Sequence, residues 1–188
     1  MAKALIIAEK PSLGRSIVSA LQWWKNEKFE RQGKDRNTWL ESDNYIVASS
    51  VGHLYELIDL DAYFPGYDPE KKPGWSMDRL PFFPDDWAFQ YEGKEKVKGL
   101  IRVIDSLMNR KDVDVIYNAG DPDREGQRLV DEIIEHGLKT QKTIYRLWLP
   151  DTTNKTIKQA FETAKPNTGY VNFSSSAEAR SEMDWLLG

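Results

Sequence analysis

The feature that most constrains this chain is an alternation of short, β-branched apolar runs with longer stretches of helical periodicity. Ala4 to Ala8 is such a run, and after Lys10-Pro11-Ser12 the residues Leu13, Ile17 and Leu21 recur at helical spacing, with Ser12 placed to cap the helix. Val97, Ile101, Ile104, Leu107 and Met108 mark one face of a helix between Lys94 and Met108, and Val113 to Tyr117 follows as a second strand. Leu129, Val130, Ile133 and Ile134 give the next helix a buried face that ends near Gly137, and Thr143 to Leu149 is a third apolar strand. Helix followed by strand implies parallel crossovers, so the pattern predicts an α/β domain on a mostly parallel, Rossmann-like sheet flanked by helices. Ligands of such sheets sit outside the carboxyl ends of the strands.

The remaining segments read differently. Gln22 to Asn44 is polar, with Gly33 and Asn37 as turn candidates, and reads as a surface hairpin leading into a strand at Tyr45 to Ser49. Tyr63 to Pro84 carries Pro65, Pro69, Pro73, Pro81 and Pro84, which excludes a long regular element there. From Asp151 the pattern is helical through Ile157, Ala160 and Phe161, breaks at Pro166 to Gly169, and resumes from near Ser174 to Leu187. This divides the chain into an α/β domain, 1–150, and a helical linker, 151–188, expected to open a further, truncated domain.

Composition narrows the function classes. Basic residues number 26 against 30 acidic, so any contact with nucleic acid must be a local patch. The absence of cysteine excludes disulfide scaffolds, thiolate zinc sites and cysteine nucleophiles, and fits a reducing cytoplasm. The apolar run near the N-terminus is too short for a signal peptide, and no stretch approaches the ~20 residues of a membrane span, so no membrane partner is expected.

Two strand ends carry acids: Glu9 after the first, and Asp121, Asp123 and Glu125 after the second. Carboxylates gathered in one cleft repel unless a cation compensates them, and hard oxygen ligands without histidine or cysteine select magnesium, manganese or calcium. Spacing alone leaves a second reading open, in which Asp121 and Asp123 only cap a helix beginning near Gly126. Asp121, Asp123, Glu125, Gly126 and Glu132 also match a calcium-loop spacing. The flanks argue against that, because Val113 to Tyr117 is strand-like and Leu129 to Ile134 is already helical.

Ala8-Glu9-Lys10-Pro11-Ser12 together with Ala119-Gly120-Asp121-Pro122-Asp123-Arg124-Glu125-Gly126-Gln127 resembles the paired signature of a Toprim domain. Val51 to Leu57, the Trp75 to Trp87 segment and Asp184 to Gly188 are similar to further landmarks of the topoisomerase III branch of type IA DNA topoisomerases, in the same order. Glu178 and Glu182 depart from a helix that is more basic in the family.

The resemblance implies an enzyme that opens one DNA strand by attack of a tyrosine, holds the 5′ end covalently, passes a strand and reseals the break without a nucleotide cofactor. It implies that Glu9 donates a proton to the departing 3′ oxygen and accepts it on rejoining, and that Lys10 meets the charge on the phosphate. Glu9, Asp121, Asp123 and Glu125 would hold Mg2+, with Mn2+ or Ca2+ as substitutes in binding. Arg146 and Arg180 would contact single-stranded DNA near the scissile phosphate, with His53, Trp75 and Trp185 as further contacts; core packing is the competing reading for each tryptophan. None of the eight tyrosines is expected to be the nucleophile, which belongs to the remaining domains of a full-length topoisomerase. A Toprim primase or nuclease and a non-catalytic DNA-processing module are the alternatives.

Overall fold

The computed structural model describes residues 2–35, 37–66, 68, 77–91 and 95–187. In chain order the elements are β1 (Lys3–Ala8), α1 (Pro11–Lys25), β2 (Glu30–Lys34), β3 (Asn37–Glu41), β4 (Tyr45–Ser49), β5 (Tyr55–Leu57), β6 (Phe89–Tyr91), α2 (Glu95–Met108), β7 (Val113–Ala119), α3 (Arg124–Gly137), β8 (Thr143–Arg146), α4 (Asn154–Glu162), β9 (Lys165–Pro166) and α5 (Val171–Leu187). Seven strands form one sheet in the order β2-β3-β4-β1-β7-β8-β9, and β5 pairs with β6 apart from it. The four central strands are parallel, while β2, β3 and β9 extend the edges antiparallel. This is the mostly parallel α/β sheet that the alternating pattern predicts.

Successive side chains of β1 point to opposite faces and feed two cores. Leu5 and Ile7 join Ile46, Ile104, Ile116 and Ile133 under α2 and α3. Ile6 and Ala8 join Ile17, Leu21, Val47 and Ile157 under α1 and α4. The connection from β1 runs through α1 to β4 on one side of β1, whereas β7 lies on the other side. The crevice at the carboxyl ends of β1 and β7 is therefore the topological switch point of the sheet.

Several boundaries differ from the sequence reading. Lys10, not Ser12, is the N-cap of α1, because Pro11 takes the first helical position, where its missing N–H costs nothing. Helix α3 starts at Arg124, two residues before Gly126, because the Asp123 carboxylate accepts the Gly126 N–H and sets the first turn. Strand β8 stops at Arg146, although Leu147 and Leu149 stay buried in the core. Helix α5 begins at Val171, ahead of Ser174. The hairpin is present as β2 and β3, with Asp35 in the left-handed region between them. Of the proline-rich segment, the described residues hold only short 3-10 turns at 60–63 and 77–79. Beyond residue 151, α4 packs on α1 and β9 joins the sheet. Among the described residues, no helix is long and apolar enough to cross a membrane.

Candidate metal and phosphate site

The switch point brings together acids 112 residues apart in sequence: Glu9 Oε2, at the end of β1, accepts the main-chain N–H of Asp121, past the end of β7, at 2.7 Å. Two glycines permit this closeness. A Cβ at Gly120 would lie 1.9 Å from the Gly126 carbonyl oxygen, and one at Gly126 would lie 2.5 Å from the Asp121 nitrogen and 2.7 Å from Glu9 Oε2. Only a chain without side chains at both positions can press the loop against the first turn of α3.

Lys10 Nζ donates to Asp121 Oδ2 at 2.5 Å. That hydrogen bond raises the Lys10 ammonium above its ordinary value, and the charges of Asp121, Glu9 and Asp123 add to it. One cation thus faces three carboxylates. Asp123 spends Oδ1 on the helix cap, accepting from Gly126 N at 2.7 Å. Glu125 turns the other way, towards α5, where Arg180 Nη1 lies 3.3 Å from its Oε1.

Arg146 is 1 % exposed at the end of β8. Its Nη1 donates to the carbonyls of Asn118, Gly120 and Leu147 at 3.2, 2.9 and 3.0 Å, and its Nη2 to that of Asp121 at 2.7 Å. Burial pushes the guanidinium down to about 10, against the pull of Asp131, Asp123 and Glu9, so it remains charged at neutral pH. A second brace comes from Asp131, buried on α3, whose carboxylate accepts from Asn118, Gln127 and Asn167, while Asn118 Oδ1 accepts from Gly120 N. Sequence reasoning leaves Asn118 and Asp131 out of the site. Their signal is Asp131 one turn after Gln127, two polar residues on a helix that faces the core.

His53 is exposed and lines a cleft with Glu125, Arg128 and Glu178. Trp185 donates its indole N–H to the Ile58 carbonyl at 2.8 Å and packs against Trp87, Tyr63 and Phe82. Trp75 lies outside the described residues.

Residues 4–152 match the family model of the Toprim domain. The chain belongs to the Toprim family. It is also similar along its whole length to proteins named DNA topoisomerase 3: 37% identical to that of Bacillus thuringiensis and 34% to that of Bacillus subtilis, covering 24% of each. The Haemophilus influenzae protein of that name is 36% identical over 98% of this chain, which covers 26% of it. The chain spans about a quarter of the length of the curated relatives it matches.

Toprim membership supports a divalent metal cofactor in general. Among the described residues, no group of three or more histidine, aspartate or glutamate side chains is arranged to hold a metal ion. In this arrangement Lys10 occupies Asp121, a main-chain amide occupies Glu9, and a helix cap occupies Asp123. The donor chemistry suits a hard cation all the same, because each of these carboxylates keeps a second oxygen that accepts no hydrogen bond among the described residues.

Proposed function

We propose that this chain is the N-terminal Toprim part of a type IA DNA topoisomerase of the topoisomerase III kind, which opens and rejoins one strand of DNA. Residues 1–150 form the Toprim unit and 151–188 lead into the next domain; the tyrosine nucleophile is supplied from outside residues 1–188. The observation that carries this reading is the meeting of Glu9, Lys10 and Asp121 at the switch point of the sheet.

From that position Glu9 gives a proton to the 3′ oxygen as the tyrosine oxygen, its own proton lost to water, displaces it from phosphorus. Glu9 takes the proton back when the 3′ hydroxyl attacks the phosphotyrosine and the departing tyrosine oxygen regains a proton from water. Lys10 meets the negative charge that builds on the phosphate. Glu9, Asp121 and Asp123 would hold Mg2+, with Glu125 as an outer member of the set, and the bound ion would supply charge neutralisation and alignment of the 3′ end. Arg180 and His53 face the strand from the α5 side, and Trp185 orders that side through its contact with Ile58. Arg146 positions the acid loop from within. Single-stranded DNA is the partner, and the cytoplasm is the compartment.

The test is metal-linked stability. Thermal unfolding of the chain should shift upward with added MgCl2, by about 2.7 kcal/mol of stability at about 100 times the Kd, and Asp121→Asn should abolish the shift. A wild-type chain indifferent to Mg2+, Mn2+ and Ca2+ would overturn the metal site. Incubated with an oligonucleotide and Mg2+, the chain alone should form no covalent adduct, and nicking by it would point instead to a Toprim nuclease.

A further inference from the structure

The β2–β3 hairpin leaves a cleft that the acid site does not use. Strand β3 is laddered to β4 only at Leu40↔Val47 and Glu41↔Ile46, although β3 begins at Asn37 and β4 runs on to Ser49. The Glu41 end is pinned, because its carboxylate accepts from Lys3, Trp39 and Arg110. At the other end the strands part, and the gap between Trp39 and Ser49 widens into a cavity of about 360 Å³ against the first turns of α1.

Its lining is selective. Among the described residues, the only charged ones lining the cavity are Arg15 and Arg31, both exposed, in a chain that carries more acids than bases. Arg79, Arg110, Arg124, Arg128 and Arg180 are each paired with a carboxylate. Among the described residues Arg15 has no such partner, and Arg31 makes only a 3.3 Å bond to the Asp35 carbonyl. Between the two cations stand the half-buried indole of Trp39, the hydroxyl-bearing Thr38 and Ser49, and an apolar floor of Val47 and Leu100. Unpaired guanidiniums flanking an aromatic wall are the elements with which proteins hold single-stranded nucleic acid, the cations on phosphates and the ring on a base. A cavity of this size suits one splayed nucleotide.

We propose that the hairpin cleft is a nucleotide subsite for the single-stranded DNA that passes the acid loop, with Trp39 stacking on a base and Arg15 and Arg31 on its flanking phosphates. The proposal rests on the DNA reading above. Its place fits, because Pro11 lines the cleft and directly follows Lys10.

The test uses the whole chain and a fluorescent oligothymidylate of about twelve nucleotides, within the usual footprint of such strands. The double variant Arg15→Ala/Arg31→Ala alters exposed side chains only. It should weaken binding at low salt by about tenfold or more and flatten the slope of log K against log salt by about 1.4, the share of two phosphate contacts. Photo-crosslinking with 5-iodouridine in the oligonucleotide should label Trp39. If the wild type binds, but the double variant keeps the same affinity and slope and the crosslinks fall elsewhere, the subsite is wrong while the DNA reading stands. If the wild type binds no oligonucleotide even at low salt, both fall together.

Discussion

The Arg146 guanidinium gives both of its Nη groups to main-chain carbonyls, so those donors brace the acid loop, while its buried Nε has no partner among the described residues. Lysine at 146 would keep the charge but not the fork, and an ammonium cannot reach the carbonyls of residues 118, 120, 121 and 147 together. Arg146→Lys should therefore cost about 1–3 kcal/mol in urea unfolding, from buried carbonyls left without donors. Amide exchange at Gly120 and Asp121 should quicken in the same variant. An unchanged exchange pattern would show that the loop holds itself. Gly126 makes a complementary case: the methyl of Gly126→Ala would fall 2.6 Å from the Asp121 carbonyl oxygen and 2.7 Å from Glu9 Oε2. Forcing the loop off α3 should cost about 1–3 kcal/mol and reduce the thermal shift with MgCl2. Melting curves with and without the metal separate the two effects.

At the scale of elements, the seam between α3 and α5 gathers three acids around Arg128. Arg128 reaches Glu135 at 2.7 Å, Glu178 at 3.0 Å and Glu132 at 3.8 Å. Burial pushes the Glu132 carboxyl up to about 7, Arg128 pulling it down and Glu135 and Glu178 pushing it further up. The folded-state value lies above the ordinary 4.5, so there is no penalty below that pH, and stability is lost as pH rises from about 4.5 through 7. Glu132→Gln should accordingly raise the melting temperature at pH 8, by up to ~3 kcal/mol of stability, and give almost nothing near pH 4.5. A gain independent of pH would mean that packing, not charge, is responsible. The seam also shows what sequence can and cannot convey. Strands β1, β4, β7 and β8 and helices α1 to α3 were legible because their apolar residues keep regular periods, whereas β5, β6 and β9 were not, and Glu9 and Asp121 could be paired from their places after parallel strands. The orientation of Glu125 was not legible, because it depends on Arg180 of α5, 55 residues away. Nor was the early stop of β8: Leu147 and Leu149 continue the apolar pattern, but the ladder to β7 ends with the Leu147 N–H bond to the Asn118 carbonyl.

Across the whole molecule, α5 is the clasp that holds the excursion between β5 and β6 to the sheet domain. Its inner side packs along α3, and its far end carries Trp185, which meets Trp87 edge-on at 5.3 Å and Tyr63 at 5.9 Å while donating to Ile58. These contacts lie outside both cores of the sheet, so losing them should free the excursion without unfolding the domain. Trp185→Ala should raise chymotryptic cleavage between residues 58 and 90 by roughly tenfold, the effect of about 1.4 kcal/mol on a local opening, and leave the urea midpoint of the sheet domain almost unmoved. Trp185→Phe should fall between the two, because it keeps a ring against Trp87 but gives up the bond to the Ile58 carbonyl. If both variants instead lower the global midpoint together, the excursion and the sheet unfold as one unit, and α5 stabilises the fold as a whole instead of clasping a separable part.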